Sequence, residues 1–486
     1  MALLAAGLAM RVWFMLVWSP GLTGYSDTGI YFQDAVESLW SDPIRTQGYS
    51  MFLTVMHWVA PRVIAAIIVQ HVIGLAVAAL AYFVVRRCGG SRWLGLAPAA
   101  VLAVGGDALF MEHAALSDSL FVALLIATMY CSLRAGEGHA RWALAAGAAV
   151  GFGVWVRGAG LVMAGVIPLW LLFNAGRPTR RTLALALLSL LAASGVVGSY
   201  VVWRKVDSNK PGLLDANNAW NLYGRVGPWA DCSKFEPPLG TAGLCEATAP
   251  SQRGYRNGGE DYIYNPSSPA QQLFGPPYEE SSYPHAMELL QKWSEAAILG
   301  EPGAYLKAVW LDTLRLFDSN HYSYSDMSAD ELMSWWIHGP PTEHGKNEFV
   351  EYWQGRLYPG EGPPHHGDIG PLQSWEEATR IESVGMGLLL ALLLAGPWLL
   401  GGWVRERAPR ARAGMILLGL TALAMLFFPI LVKGYDYRFV IPSYGPLVGA
   451  GALSAWGLWL RLQRRIAGHG PPAGGSSAGG TPAQGA

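Results

Sequence analysis

Residues 23–49 read TGYSDTGIYFQDAVESLWSDPIRTQGY, and they lie between two apolar runs. Asp27, Asp34, Glu37, Asp42 and Arg45 sit there among aromatic residues. Charge held between two membrane-length runs points to chemistry or binding at a membrane surface. Within the stretch, Tyr31 to Trp40 can form a short amphipathic helix. Tyr31, Phe32, Ala35, Leu39 and Trp40 form its apolar side, while Asp34 and Glu37 form its solvated face. Asp27 either caps a helix beginning at Thr28 or acts as a base on an acceptor hydroxyl.

The rest of the chain is apolar enough to place this stretch at a bilayer. Of the 486 residues, 52% are hydrophobic and 14% charged, against roughly 25% charged in soluble proteins. A crossing helix needs about 20 apolar residues. On that ruler spans are expected near 3–19, 59–85, 94–111, 117–134, 141–156, 158–175, 183–203, 383–403, 413–432 and 438–460. The pair around Arg157 is either two short spans or one span broken at Gly158 and Gly160. The first run has no basic stretch before it and no convincing small-residue cleavage site, so it is expected to be retained. Arg11 interrupts it and is expected to face protein.

Net charge is −1, but the signs are segregated. Arg86, Arg87 and Arg92, then Arg134 and Arg141, then Arg177, Arg180 and Arg181 occupy loops of one parity. Arg405, Arg407, Arg410 and Arg412, and then Arg461, Arg464 and Arg465, continue it. The positive-inside rule puts these loops and both termini in the cytoplasm. This is a topology signal and not a nucleic-acid footprint. The 23–49 stretch, the 112–117 turn, Arg157, the loop 204–380 and the 433–437 turn then face outside.

The expected organisation is a transmembrane module at 1–203, with its first outer loop at 20–58, followed by an extracytoplasmic loop domain at 204–380. A second transmembrane module at 381–465 and a disordered cytoplasmic tail at 466–486 complete it. Helices are expected at 284–299 and 301–317. The region 318–370 is rich in aromatics and His, including Trp335, Trp336, Trp353, His365 and His366. Cys232 and Cys245, on the oxidising side, are expected to form a disulfide; Cys88 and Cys131 are read as free thiols. Walker A, nucleotide-binding and HExxH patterns are absent, so any reaction must draw on an already activated substrate.

Five outer features carry the chemistry. They are Asp27, Arg45, the Glu112–Asp118 turn, Arg157, and the run Lys433-Gly434-Tyr435-Asp436-Tyr437-Arg438-Phe439. Arginine forks match phosphate oxygens; the bland alternatives are lipid head-group contacts, snorkelling and local ion pairs. Glu112, His113 and Asp118 form only a weak metal-ligand pattern.

Taken in order, these motifs resemble the GT-C superfamily of polytopic glycosyltransferases. The likeness is to the protein-mannosyltransferase-like and aminoarabinose-transferase-like branch that uses polyprenyl-phosphate sugars. Arg11, Tyr25-Ser26-Asp27, Arg45 through Phe52, Leu116 through Phe121, Val156 through Gly160, and Tyr435 through Pro442 carry it. The resemblance implies an all-α polytopic membrane fold, with a GT-C-like bundle of about ten spans and a large extracytoplasmic loop domain. It implies Asp27 as the catalytic base and Arg45, Arg157 and Arg438 as the holders of donor phosphate. Lys433, Tyr435 and Asp118 complete the substrate- and phosphate-binding candidates. No cofactor is implied beyond the lipid-linked sugar donor. The partners are a polyprenyl-phosphate sugar, membrane lipids and a glycan, lipid or protein acceptor. Asp27 is followed by Thr28 and not by a second acid, which favours a metal-independent reaction; the transfer is expected to be inverting. Gly48-Tyr49-Ser50 also departs from the family's usual Gly-Tyr-Pro. The other function class that fits outer cations on a helical bundle is a transporter or flippase of lipid-linked sugars.

Overall fold

The computed structural model describes residues 1–23, 26–40, 42, 45–174, 176–208, 217–253, 258–277, 285–318, 344–361, 365–381, 383–399 and 409–468. Tyr25, Pro43, Ile44, Trp335, Trp336, Arg405, Arg407 and the tail from 469 lie outside them. Helices follow in chain order: α1 Ala2–Val17, α2 Ser26–Val36, α3 Gly48–Val59, α4 Val63–Arg87, α5 Arg92–Val104, α6 Gly106–His113 and α7 Asp118–Gly136. Then come α8 Ala140–Val156, α9 Met163–Phe173, α10 Arg180–Ser208, α11 Asn217–Val226, α12 Gly259–Tyr264, α13 Pro269–Phe274, α14 His285–Gly300 and α15 Pro302–Arg315. The last are α16 His344–Leu357, α17 Gly370–Thr379, α18 Ser383–Leu399, α19 Pro409–Val432, α20 Tyr437–Val440 and α21 Tyr444–Gly468.

The expected class, an all-α polytopic membrane protein, is found. The count of about ten spans is not confirmed. Among the described residues five helices are long and apolar enough to cross a membrane: 63–87, 118–136, 180–207, 370–396 and 410–432. The pair α5 and α6, bent by 45° at Gly105, makes a sixth if taken as one span. The shortfall has local causes. Helices α1 and α8 are apolar but shorter than the ruler requires, and the Arg157 region divides into α8, a 3-10 turn at Gly158–Val162 and α9. The span expected at 59–85 is preceded by a separate helix, α3. The span expected at 438–460 starts with the one-turn helix α20 and a 3-10 turn before α21 begins.

Apolar faces of the long helices merge into one core, which includes Phe14, Leu53, Ile67, Phe121, Met129, Leu417 and Leu447. A second, smaller core holds Trp220, Tyr223, Tyr262, Leu290 and Trp293, contributed by α11, α12 and α14. Cys232 and Cys245 are joined by a disulfide in the loop beside it. Helices α14 and α15 fall within a residue or two of the expected 284–299 and 301–317.

Three local devices fix the end of the bundle that carries α2. Backbone pairing joins Trp18 to His366 and Ser19 to His365 in a two-stranded antiparallel ladder. Next to it, the Leu22 N–H donates to His113 O at 2.9 Å, and Ala115 N–H donates to Leu22 O at 3.0 Å. The start of the loop after α1 is thereby stitched to the 113–115 turn. Finally, Gly48 rests directly on the backbone at the end of α8. A Cβ there would come 2.6 Å from Trp155 O, so only glycine lets α3 begin beside Arg157.

A buried polar network ties α1, α4 and α6 together. Arg11, 1% exposed, donates from Nε and Nη2 to the Glu112 carboxylate at 2.8 and 2.7 Å. Its Nη1 donates to Gly7 O and Ala103 O. Gly74 leaves the space for Glu112, because a Cβ there would overlap the carboxylate. Glu112 also faces His71 Nδ1 at 3.1 Å, and His71 Nε2 is 3.1 Å from His113 Nδ1. His113 Nε2 donates to Trp18 O. Arg11 therefore faces protein, and Glu112 and His113 are engaged in the helix interior.

Candidate active site

Asp27 lies in the first turn of α2, which begins at Ser26 and not at Thr28. It is therefore not the residue that precedes that helix. Its carboxylate joins two distant arginines. Arg45 donates to Oδ1 from Nε at 2.8 Å and from Nη2 at 2.7 Å. Arg438 donates to Oδ2 from Nη1 at 2.7 Å. The other edge of Arg438 donates to Asp118 Oδ2, from Nε at 3.0 Å and Nη2 at 2.7 Å. Arg157 pairs with Asp118 Oδ1. The result is an alternating chain, Arg45–Asp27–Arg438–Asp118–Arg157.

Each member is placed by a short structural argument. Asp118 opens α7, directly after the turn stitched to Leu22. Arg157 follows the last residue of α8, where the helix hydrogen bonding ends with its N–H on Gly153 O at 2.8 Å. Arg438 sits in α20, whose N-cap is Asp436: the Asp436 carboxylate accepts from the Arg438 N–H at 2.8 Å. Arg45 is held by Asp42, whose Oδ2 accepts from its backbone N–H at 3.1 Å and from its Nη1 at 3.3 Å.

Exposure separates the two acids. The Asp27 side chain is 21% exposed and that of Asp118 is 1% exposed. Asp27 is partly open to solvent, whereas Asp118 is a buried bracket for two arginines. Burial alone would push the Asp27 carboxyl up. The charges of Arg45 and Arg438, and the hydrogen bonds they donate, outweigh burial and hold it well below the usual carboxylate range. Burial alone would likewise pull the Arg45 guanidinium down, but Asp27 and Asp42 raise it instead, so it stays charged. Tyr31, whose hydroxyl is 3.2 Å from Ser117 Oγ, is pushed up to about 12 by burial and by Asp27. It remains a neutral phenol beside the site.

Five sequence candidates thus converge: Asp27, Arg45, Asp118, Arg157 and Arg438. Lys433 and Tyr435 do not reach this cluster. Lys433 Nζ lies 3.6 Å from Glu260, and the Tyr435 N–H donates to Asp312 Oδ2 at 3.2 Å. Both line a cavity apart from it. Phe439 stands between the two places, its ring centroid 5.3 Å from the Arg157 guanidinium and 5.4 Å from Lys433 Nζ.

Asp34 is a further correction. Instead of facing solvent it is buried, and its Oδ1 accepts from the Asp42 N–H at 3.0 Å. Helix α16 (His344–Leu357) lies over α2, with Phe349 and Val350 against Gly29. Glu37 is exposed, as expected. Asp42 is a site residue that periodicity did not single out; its signal was the Asp-Pro pair two residues before Arg45. Among the described residues no group of three His, Cys, Asp or Glu side chains is placed to hold a metal ion. Glu112, His113 and Asp118 face different partners.

Residues 59–204 match the family model described as dolichyl-phosphate-mannose-protein mannosyltransferase. That segment carries Asp118 and Arg157 but not Asp27, Arg45 or Arg438. The match bears out the resemblance drawn from the motifs. No curated protein matches the chain. Among solved structures, the apo oligosaccharyltransferase of Archaeoglobus fulgidus is 13% identical with a TM-score of 0.45, covering 96% of this chain and 51% of that one. The chain therefore spans about half the length of that protein. The same organism's oligosaccharyltransferase AglB, in complex with an inhibitory peptide and a dolichol-phosphate, gives 13% identity and a TM-score of 0.44, covering 97% of this chain and 52% of that one. ArnT from Cupriavidus metallidurans, bound to undecaprenyl phosphate, gives 14% identity and a TM-score of 0.35, covering 97% and 81%.

Proposed function

We propose that this chain is an integral membrane glycosyltransferase. It moves a sugar, hexosyl or pentosyl, from a polyprenyl-phosphate carrier to a glycan, lipid or protein acceptor on the extracytoplasmic side, with inversion and without a metal. The observation that carries this reading is the sharing of Asp27 between Arg45 and Arg438. One accessible carboxylate and three arginines are the groups such a transfer needs, gathered from four separate parts of the chain.

In the reaction the bond from the acceptor oxygen to the sugar's anomeric carbon forms as the bond from that carbon to the phosphate oxygen breaks. The acceptor proton goes to Asp27, and the leaving electron pair stays on the phosphate. Arg45, Arg157 and Arg438 offset the growing negative charge. The resting state makes Asp27 a weak base, because two guanidinium groups occupy its lone pairs. A donor phosphate competes for the same N–H groups. Its arrival loosens the arginines from Asp27 and raises the carboxylate's proton affinity when the acceptor is activated. The arginines perform the charge stabilisation that a divalent ion performs elsewhere, so chelation is expected to leave transfer unchanged. The arginine-rich loops put this face outside the cytoplasm.

The test is Asp27→Asn in purified full-length protein supplied with a polyprenyl-phosphate sugar. Transfer is expected to fall by about 10²–10⁴-fold, with polyprenyl-phosphate binding and thermal unfolding close to wild type. Full transfer by a normally folded variant removes Asp27 as the base.

A second reading, a transporter or flippase of lipid-linked sugars, is favoured by the ionisable network of Arg11, Glu112, His71 and His113 inside the helices. Arg11 is bonded on every nitrogen, however, which suits a fixed tie better than a moving element. Vesicles that translocate a lipid-linked sugar without transferring it would support this alternative.

A further inference from the structure

A cavity of about 210 Å³ opens between α11, α12, α15 and the turn after α19. Arg225, Arg315 and Lys433 line it, opposed by Glu260 and Asp312. Three cations and two carboxylates thus share its wall.

Asp312 is already divided among its neighbours. Its Oδ2 accepts from Arg225 Nη1 at 2.5 Å and from the Tyr435 N–H, while its Oδ1 lies 3.8 Å from Arg315 Nε. Arg225 is 8% exposed, yet its Nε and Nη2 have no hydrogen-bond partner among the described residues. Those two atoms form the side edge of the guanidinium fork. Elsewhere in this protein that same edge holds a carboxylate: Glu112 on Arg11, Asp118 on Arg438 and Glu376 on Arg380. A buried donor pair without an acceptor is costly and calls for a missing partner. The fork fits an oxyanion with two oxygens to offer.

We propose that this cavity is an anion subsite that takes one phosphate or carboxylate group of the acceptor. The group sits in the Nε/Nη2 fork of Arg225, with Arg315 and Lys433 around it. This inference rests on the glycosyl-transfer reading, in which the carrier's own phosphate occupies the Asp27 cluster. The cavity lies one aromatic ring, Phe439, away from that cluster, so an anionic acceptor anchored here can present a hydroxyl to Asp27. The acceptor class is then an acidic glycan or a phosphorylated lipid.

The experiment uses detergent-solubilised full-length protein saturated with polyprenyl phosphate, so that the carrier site is filled. Inorganic phosphate is then titrated and the unfolding midpoint followed. A saturable rise is expected. Arg225→Gln should weaken the apparent phosphate affinity by about tenfold or more. Arg315→Gln, at a more exposed position, should weaken it by a smaller factor and serves if Arg225→Gln does not fold. No saturable effect in wild type, or unchanged affinity in the folded variants, overturns the subsite. Loss of the phosphate effect once polyprenyl phosphate is present assigns the cavity to the carrier and overturns the acceptor assignment. None of these readouts depends on sugar transfer. A failure of the Asp27→Asn test would therefore be seen separately.

Discussion

Arg438 lies 320 residues from Asp118 in the chain, and it clasps one oxygen of that carboxylate with Nε and Nη2 while its Nη1 holds Asp27. The guanidinium is a bridge between an accessible acid and a buried one. Lysine keeps the charge but has no second edge. Arg438→Lys is therefore expected to lower sugar transfer by about 100-fold and to lower the unfolding midpoint. Transfer assays with a polyprenyl-phosphate sugar and thermal unfolding of the same preparation check this. Near wild-type transfer would show that a point charge is enough.

Arg11 and Glu112 form a pair whose worth is best seen by breaking it. Arg11→Leu leaves a buried carboxylate without its main partner and is expected to cost about 3–5 kcal/mol. Arg11→Leu combined with Glu112→Leu removes both charges and should recover much of that loss. Unfolding of both variants in the same detergent measures the difference. Equal destabilisation of the single and double variants would mean that the network holds the helices by its neutral hydrogen bonds.

Asp34 offers a pH test. Burial, followed by the neighbouring Asp42 charge, pushes its carboxyl well above the ordinary range. The folded state thus binds a proton more readily than the unfolded chain. The associated stability is present at low pH and is lost as pH rises through the raised folded value. Asp34→Asn keeps an acceptor for the Asp42 N–H and carries no charge. It should be more stable than wild type at pH 8, and the gain should vanish toward pH 4. A gain that does not change with pH would contradict this.

The Cys232–Cys245 bond closes a loop with a sequence separation of 13, beside the small core of Trp220, Tyr223 and Trp293. Chain-entropy reasoning gives about 3 kcal/mol for a loop of this length. Reduction, or Cys245→Ser, should speed amide exchange in α11 and α14 while leaving α4 and α7 unchanged. Without reductant, thiol reagents should label only Cys88 and Cys131.

Much of the site was legible because membrane topology simplifies the problem. Arg45, Arg157 and Arg438 fall in short turns between apolar runs, on the side where the charge pattern predicts few arginines, so few positions competed for attention. Asp118 was legible for the same reason. Lys433 and Tyr435 were misplaced because closeness in sequence to Arg438 says nothing about direction. The Asp436 cap and the single turn of α20 separate them: Arg438 joins Asp27 and Asp118, and Lys433 lines the cavity beside α11 and α15. Asp34 looked solvated because its periodicity put it on a polar face. Its hydrogen-bond partner is the Asp42 N–H in the loop after α2, and helix periodicity does not announce that return of the chain. The number of spans is not confirmed because composition alone cannot tell a full crossing from an apolar helix that stops short, as α1 and α8 do. Arg225 carried no signal at all: its meaning lies in an unpaired edge, which exists only once Asp312 has taken the other side.

The long sequence gap between Asp118 and Arg438 also bears on biogenesis. During synthesis Asp27 can meet Arg45, and Asp118 can meet Arg157, long before Arg438 is translated. Until the 437–440 turn docks, each acid has one cation and nothing joins the two pairs. A nascent or truncated chain is therefore expected to insert in the membrane yet remain inert. Assembly of the five-residue cluster then coincides with completion of the bundle.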